Sequence, residues 1–341
     1  MSVPPSISVL MTVYNAGRHL APAVQSILSQ SFRDFEFLAV DDASTDGSLE
    51  VLEQLASADS RLRIIANRIN KGQTACLNQG LREAKGKWIA RQDADDISLS
   101  GRLMAQWEMV QSSPDLVLVG VNGWILDEES NVSGMIHVPV HDSGIRWAMP
   151  FRNPFIHSGV MFRNGDGFYN EEFRICQDWE FWQRLAERGR MRNLPGRLVA
   201  YRHSASSLSH SSSDRTRHEA AEVVNRIWRG RFGCELEEQE LLEAFREGLL
   251  ADNRKRFWKF YDGMRSRWCW GDIRQAAAVH HFQVAGSLAG NDPAGCFCEM
   301  LAAFSESSIW TLQVFLGKVL MCPKLLKDFP QPLNNAAYPI S

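Results

Sequence analysis

The chain has 341 residues, 45% of them apolar and 23% charged, with a net charge of −3. That length predicts about two domains with a full buried core, which excludes a tail, a fibre or a membrane span, and the near-neutral charge offers no basic field for nucleic acid. Ile7–Val13 is apolar and β-branched and predicts a first strand, and Asn15-Ala-Gly then opens a segment with Leu20, Val24, Ile27 and Leu28 at helical spacing. Residues 35–40 predict a second strand. Asp42, Ser44 and Thr45 offer N-caps for a helix carrying Leu49, Val51, Leu52 and Leu55, and Leu62–Ala66 predicts a third strand. A helix over 73–84 ends at Gly86, and 88–90 supply a fourth strand. The alternation predicts an α/β fold with a parallel, right-handed, doubly wound sheet.

Ligands collect at the carboxyl ends of the strands in such a sheet. Three clusters fall there: Thr12-Val13-Tyr14-Asn15, Val40-Asp-Asp-Ala-Ser-Thr-Asp46, and Arg91-Gln92-Asp93-Ala94-Asp95-Asp96. Three carboxylates in four residues repel one another unless a cation relieves them, and a hard divalent ion, Mg²⁺ or Mn²⁺, bridging to phosphate oxygens is the usual solution. Tyr14 offers a flat aromatic face, Asp42 an acceptor for a base or ribose, and Asp93 and Asp95 serve ribose and metal. Taken singly, the clusters read better as capping turns or solvated acids. Their convergence describes a nucleotide site.

Ser6-Ile-Ser-Val-Leu-Met-Thr-Val-Tyr-Asn15, Val40-Asp-Asp-Ala-Ser-Thr-Asp-Gly-Ser48, Asn70-Lys-Gly72 with Asn78, and Ala90-Arg-Gln-Asp-Ala-Asp-Asp-Ile-Ser98 together resemble glycosyltransferase family 2 over roughly residues 5–210. The resemblance implies the GT-A fold, a nucleotide-sugar donor and inversion at the anomeric carbon. By the same resemblance Thr12 and Tyr14 lie along the nucleoside, Asp42 reads the base, Asp93 approaches ribose or sugar, Asp95 ligates the metal, and Lys71 and Arg91 stand near the nucleotide. UDP is the commonest donor nucleotide of the family.

Further on, 102–111 predict a helix, 116–121 a strand, and 124–126 with 132–138 a hairpin. Asn153-Pro-Phe-Ile-His157 and the apolar run after it resemble the family's segment entering a strand behind the sugar site, with His157 as a sugar or phosphate contact. Gln177-Asp178-Trp179-Glu180 opens a helix whose buried stripe is Trp179, Trp182 and Leu185. The family usually has Glu-Asp, an aromatic and another acid here, and its Asp is the catalytic base. The resemblance therefore assigns the base to Asp178, with Gln177 replacing the usual Glu and Glu180 as the fallback. Arg202 and His203 close the family-like region, Arg202 at a place beside the phosphates.

Residues 204–213 read as a linker and 214–341 as helical periodicity without strands, so the domains expected are 1–213, with a nucleotide-binding half to 97 and an acceptor half from 98, and a C-terminal helical appendage. In that appendage Arg254-Lys-Arg-Phe-Trp-Lys-Phe-Tyr261 and Arg265-Ser-Arg-Trp-Cys-Trp270 interleave cations with aromatics, which suits a peripheral contact with anionic headgroups at the inner membrane face as well as an ordinary amphipathic helix. Seven cysteines without paired metal spacing, no basic-then-apolar N-terminal segment and no long uncharged run predict a cytoplasmic protein. The reading is a metal-dependent inverting glycosyltransferase acting on a saccharide or lipid-linked acceptor in cell-surface polysaccharide or glycoconjugate synthesis. Two alternatives stand beside it. A nucleotidyltransferase would want a Gly-rich basic segment early in the chain, which residues 13–18 do not provide, and a non-catalytic sugar-nucleotide or carbohydrate-binding protein would have no use for Asp178.

Overall fold

The structure, a computed structural model, describes residues 4–149, 152–203 and 214–232. Its first strands and helices are β1 (Ile7–Val13), α1 (Leu20–Leu28), β2 (Phe35–Asp41), α2 (Ser48–Ala58), β3 (Leu62–Ala66), α3 (Gln73–Glu83) and β4 (Trp88–Asp93). The second series is β5 (Ile97–Ser98), α4 (Arg102–Ser112), β6 (Leu116–Leu126), β7 (Val132–Ile136), α5 (Asp142–Ala148), β8 (Met161–Arg163), α6 (Gln177–Ala186), β9 (Arg190–Arg202) and α7 (Asp214–Phe232). All nine strands join one sheet in the order β3-β2-β1-β4-β8-β6-β9-β5, with β7 paired to β6.

The expected parallel sheet holds for β1 to β4 only. Beyond β4 the sheet is mixed: β8 runs antiparallel to β4, β6 antiparallel to β8, and β9 parallel to β6. No crossover helix separates β4 from β5, so the chain turns at the acid cluster and re-enters the sheet from other directions. The result is the GT-A architecture, a Rossmann-like α/β half continued by a mixed half.

Strand β1 is the centre of the parallel part, and its register sets the site. Thr12 pairs with Val40 on one side and Asp93 on the other, and Val13 pairs with Asp41, so the three clusters meet at one sheet edge. Both faces of β1 are buried, as a central parallel strand requires. Ile7, Val9, Met11 and Val13 pack in one cluster with Leu20, Ala23, Val24 and Ile27 of α1. On the opposite face α3 approaches so closely that a Cβ at Gly80 would meet Leu10 Cδ1 at 2.1 Å. A second core is aromatic: Phe162 of β8, Tyr169, and Phe181 and Trp182 of α6 pack with ring centroids 4.7–6.4 Å apart, which seats α6 against the sheet.

One local expectation is corrected, and two elements go beyond the sequence reading. None of Asp42, Ser44 and Thr45 caps α2, which starts at Ser48 behind Gly47 (φ 88°), with Asp46 Oδ1 accepting from the Ser48 amide at 3.0 Å. Strand β9, thirteen residues long, has no counterpart in the sequence reading, because Pro195-Gly196 interrupts the sequence pattern yet is absorbed as a register shift, Leu194 pairing with Val121 and Arg197 with Asn122. Helix α5 has no counterpart in the sequence reading, being too short for a periodic signal. Helix α7 carries the expected apolar stripe, burying Ala220, Ala221, Val223, Val224 and Ile227. Every described residue belongs to one compact unit, Met1–Leu249. The remaining helices expected beyond 232, and the basic-aromatic patch at 254–270, lie outside the described residues. Among the described residues no helix is long and apolar enough to cross a membrane.

Candidate functional site

The strand ends are held by side chains that cross between neighbouring loops. Asn15 and Ala43 follow β1 and β2 with left-handed backbones (φ 50° and 62°), a conformation unusual for an alanine. Asn15 Oδ1 accepts from the Thr45 amide at 2.8 Å, and the Asn15 amide donates to Ser44 Oγ at 3.1 Å, locking the two loops together. At this edge Thr12 Oγ1 accepts from Arg91 Nη2 at 3.3 Å, while Tyr14 is 55% exposed, an aromatic face kept clear of the core. Asp42 is buried and already engaged: its Oδ1 accepts from the Lys71 amide and its Oδ2 from the Gly72 amide, each at 2.8 Å. It thus shapes the 67–72 loop, whose Lys71 Nζ donates to Asn67 Oδ1 at 2.8 Å. Neighbouring Asp41, which the sequence did not single out, accepts from the Ser44 amide at 3.1 Å and keeps its other oxygen buried without a hydrogen-bond donor.

The acid cluster resolves into three different carboxyls. Arg91 is fully buried and gives Asp93 Oδ1 a bond of 2.6 Å, so it reaches the site through Asp93 rather than lying open along a nucleotide. Burial pushes the Asp93 carboxyl up, but the Arg91 guanidinium and the Ser158 hydroxyl outweigh it and hold the group below the usual carboxylate range. Ser158 Oγ donates to Asp93 Oδ2 at 2.6 Å and also bonds Asp96 Oδ2. Burial, with the charges of Asp95 and Asp93, pushes the Asp96 carboxyl well above its ordinary value, against the bond from Ser158. Asp96 Oδ1 accepts from the Arg202 amide at 2.7 Å, and the Arg202 guanidinium closes the turn by donating to the Asp95 carbonyl (3.0 Å) and the Asp127 carbonyl (2.8 Å). Beneath them Arg102, wholly buried, donates to the carbonyls of Arg91 (3.0 Å) and Ser158, and burial and Arg91 lower its pKa to about 9.

Within the cluster Arg91 pairs with Asp93, and the Ser158 hydroxyl lies between Asp93 and Asp96. Among the described residues no group of three or more His, Cys, Asp or Glu side chains is arranged to hold a metal ion. Asp95 stands apart: it is half-buried, and burial and Asp93 push it up to about 6. A single carboxylate fits an ion such as Mg²⁺, which commonly takes one or two carboxylates and completes its shell with phosphate oxygens and water.

Across from the acids lies the start of α6. Asp178 Oδ2 accepts from Asn153 Nδ2 at 2.6 Å and its Oδ1 from the Trp179 amide at 2.8 Å. Burial pushes its carboxyl up to about 6, against those two bonds, and the charge of Asp93 adds to the rise, so the two carboxyls are electrostatic neighbours. His157 lies between the two sides, bonded to the Tyr169 hydroxyl at 3.1 Å and edge-on to Trp182. Burial and the Arg91 cation lower its pKa to about 3, which keeps it neutral. Glu180 faces elsewhere, accepting two hydrogen bonds from the Arg184 guanidinium (2.8 and 2.9 Å) and lying 3.8 Å from Arg226. Asn153, Ser158, Tyr169 and Arg102 escaped the sequence reading. Each is an ordinary residue type that becomes informative only when the fold brings it to an acid or, for Tyr169, to the imidazole of His157.

Comparison with known proteins gives concordant results. The Glycosyl transferase family 2 model matches residues 8–169. EpsE of Bacillus subtilis (strain 168), assigned to the glycosyltransferases, is 35% identical over 220 residues, which are 62% of this chain and 78% of EpsE. The O-antigen biosynthesis glycosyltransferase WbnJ of Escherichia coli is 31% identical over 190 residues, 52% of this chain and 71% of WbnJ. Among solved structures, S. aureus TarS 1-349 in complex with UDP-GlcNAc matches with a TM-score of 0.55 at 18% identity, covering 91% of this chain and 92% of that one. The mannosyltransferase PcManGT from Pyrobaculum calidifontis, in complex with GDP-Man and Mn²⁺, matches with a TM-score of 0.52 at 15% identity, covering 94% and 81%. At such identities the two structures attest the fold.

Proposed function

The chain belongs to glycosyltransferase family 2 and is a transferase enzyme, and from that premise we propose that it moves a sugar, with inversion, from a nucleotide-linked donor to a saccharide or lipid-linked acceptor. UDP is the nucleotide proposed, and cell-surface polysaccharide or glycoconjugate synthesis the setting, in keeping with the O-antigen relative. The observation that carries the proposal is the facing pair of sides: an edge with Tyr14, Asp42, Asp93 and Asp95, and an ionisable Asp178 close enough to feel the charge of Asp93. A binding module would have no use for the second side.

In the proposed reaction the acceptor hydroxyl oxygen attacks the anomeric carbon as Asp178 takes its proton. The new carbon–oxygen bond forms on the face opposite the diphosphate, and the electron pair of the breaking bond leaves with the nucleoside diphosphate. A carboxyl titrating near 6 suits this work, being largely ionised at neutral pH yet basic enough to accept a proton. Asn153 and the Trp179 amide orient it, and the helix start favours the anion. Tyr14 offers its face to the base, and Lys71 and the loop shaped by Asp42 border the nucleotide. A divalent cation, when bound at Asp95 together with the donor, neutralises charge developing on the leaving diphosphate. His157, neutral and half-buried, supplies a hydrogen bond to sugar or phosphate. Peripheral contact with the inner membrane face remains part of the proposal through the segment at 254–270.

The test is thermal unfolding of the protein against UDP, dTDP, GDP and CDP, each with and without Mn²⁺, repeated on Asp95→Ala. The expected result is a metal-dependent rise with UDP that the variant loses. A response to no nucleotide contradicts the proposal, and a response to another nucleotide reassigns the donor.

A further inference from the structure

The segment that delivers Asp178 is tied down from an unexpected place. Cys176, at the N-cap of α6, provides no side-chain cap, so the free amides at the start of that helix need another acceptor. The amides of the three residues just before the helix, 174–176, converge instead on one carboxylate, Glu219 of α7. The Arg174 amide donates to its Oε1 and Oε2 at 3.1 and 3.0 Å, the Ile175 amide to Oε2 at 2.8 Å and the Cys176 amide to Oε2 at 3.0 Å. Three consecutive amides converging on one anion form a nest, and the positive end of the helix dipole adds to the attraction. Glu219 is only 8% exposed. Burial pushes its carboxyl up, yet the amides of Cys176, Ile175 and Arg174 and the Arg215 side chain outweigh that and hold it below the ordinary range.

Other contacts fix both flanks of this segment. From α7, Arg226 stacks on Phe173 at 5.0 Å and approaches Glu172 at 3.6 Å, while Arg215 braces Glu219 at 3.0 Å. From α3, Thr74 Oγ1 donates to the Phe173 carbonyl at 2.8 Å and Asn78 Nδ2 to the Tyr169 carbonyl at 2.9 Å. Residues 169–177 are therefore stretched between a helix of the nucleotide-binding half and a helix that begins after residue 213.

We propose that Glu219 is a positioning residue for Asp178: its carboxylate fixes the amides of residues 174–176, and with them the first turn of α6 and the direction of the base. The inference rests on the reading of Asp178 as base. It makes α7 a working part of the transferase unit rather than the start of an independent appendage.

The experiment uses the full chain and the variants Glu219→Ala, Glu219→Gln, Val223→Ala and Asp178→Asn. Amide exchange is followed in peptides covering 174–178, and UDP release is measured with UDP-glucose, UDP-galactose and UDP-N-acetylglucosamine as donors. In Glu219→Ala the 174–176 amides exchange faster while β1 to β4 are unchanged, and kcat falls about 10- to 100-fold at unaltered donor KM, as expected for a displaced catalytic group. Glu219→Gln, whose amide oxygen still accepts, recovers part of both losses. Val223→Ala, a fully buried position on the same helix, lowers Tm but leaves kcat at the wild-type value. Faster exchange with unchanged kcat in Glu219→Ala, or an equal loss of kcat in Val223→Ala, overturns the positioning role while leaving the base reading intact. Wild-type turnover in Asp178→Asn overturns the base reading, and this inference with it.

Discussion

The two sides of the site solve the same problem, keeping carboxyl groups in a half-buried cleft, by different means. On the nucleotide side the charges are balanced within one sheet edge: Arg91 pairs with Asp93, Ser158 bridges Asp93 and Asp96, and Arg202 and Arg102 bind the carbonyls around them. On the base side Asp178 is held by neutral donors, Asn153, 25 residues before it, and the Trp179 amide, and through Glu219, more than 40 residues after it. The difference teaches that the first side is part of the core and the second is a delivered group. Substitutions in the first should cost mainly stability, and substitutions in the second mainly rate.

The largest stability effect that sharpens this contrast is expected at Arg102. Arg102→Met leaves the buried carbonyls of Arg91 and Ser158 without their donor and removes a cation facing Asp96, for a loss on the order of 2–5 kcal/mol in denaturant unfolding. Ser158→Ala strips a hydroxyl from both Asp93 and Asp96 and is expected to cost about 1–3 kcal/mol in the same measurement. If these two variants keep wild-type stability and lose only turnover, the contrast fails.

Asp178 breaks the pattern in the opposite direction. Its folded pKa, about 6, lies above the ordinary Asp value of 3.8, so its contribution to stability is fully present below the lower value and is lost as pH rises through the higher. Asp178→Asn is therefore expected to be at least as stable as the wild type at pH 7. Its advantage should shrink as pH falls from 7 to 4, read as the difference between the two Tm curves. The smallest effect is expected at Tyr14, whose ring is mostly in solvent: Tyr14→Ala should leave Tm unchanged and weaken UDP binding by about 0.5–1.5 kcal/mol in calorimetry. A fall in Tm there would mean that the ring serves the fold instead.

What could be read from the sequence follows from how local each signal is. Strands β1 to β3 are short, predominantly apolar runs, and β3 has the predicted bounds because no turn residue falls within 62–66. The clusters at 12–15, 40–46 and 91–96 were visible because polar residues end apolar strands there, and their meeting at one edge follows from parallel order. The mixed half was less legible. Pro195-Gly196 hides a long strand, and the antiparallel pairings of β8 depend on a tertiary path that no local pattern encodes. Side-chain partners were least legible of all. Nothing near Ser158 announces that it bridges two acids, nothing in α7 that Glu219 caps a different helix, and Arg91, charged and in a polar stretch, gives no sign of its complete burial. Asp178 as base came from family resemblance, since an acid at a helix start is by itself an ordinary cap.

The most direct test of the central claim compares donor binding with turnover in Asp178→Asn. The account predicts that the thermal shift given by UDP with Mn²⁺ matches the wild type while UDP release from the donor falls by about 10²- to 10⁴-fold, the contribution of a general base. Turnover at the wild-type rate with intact nucleotide binding would contradict it and move the base to another residue.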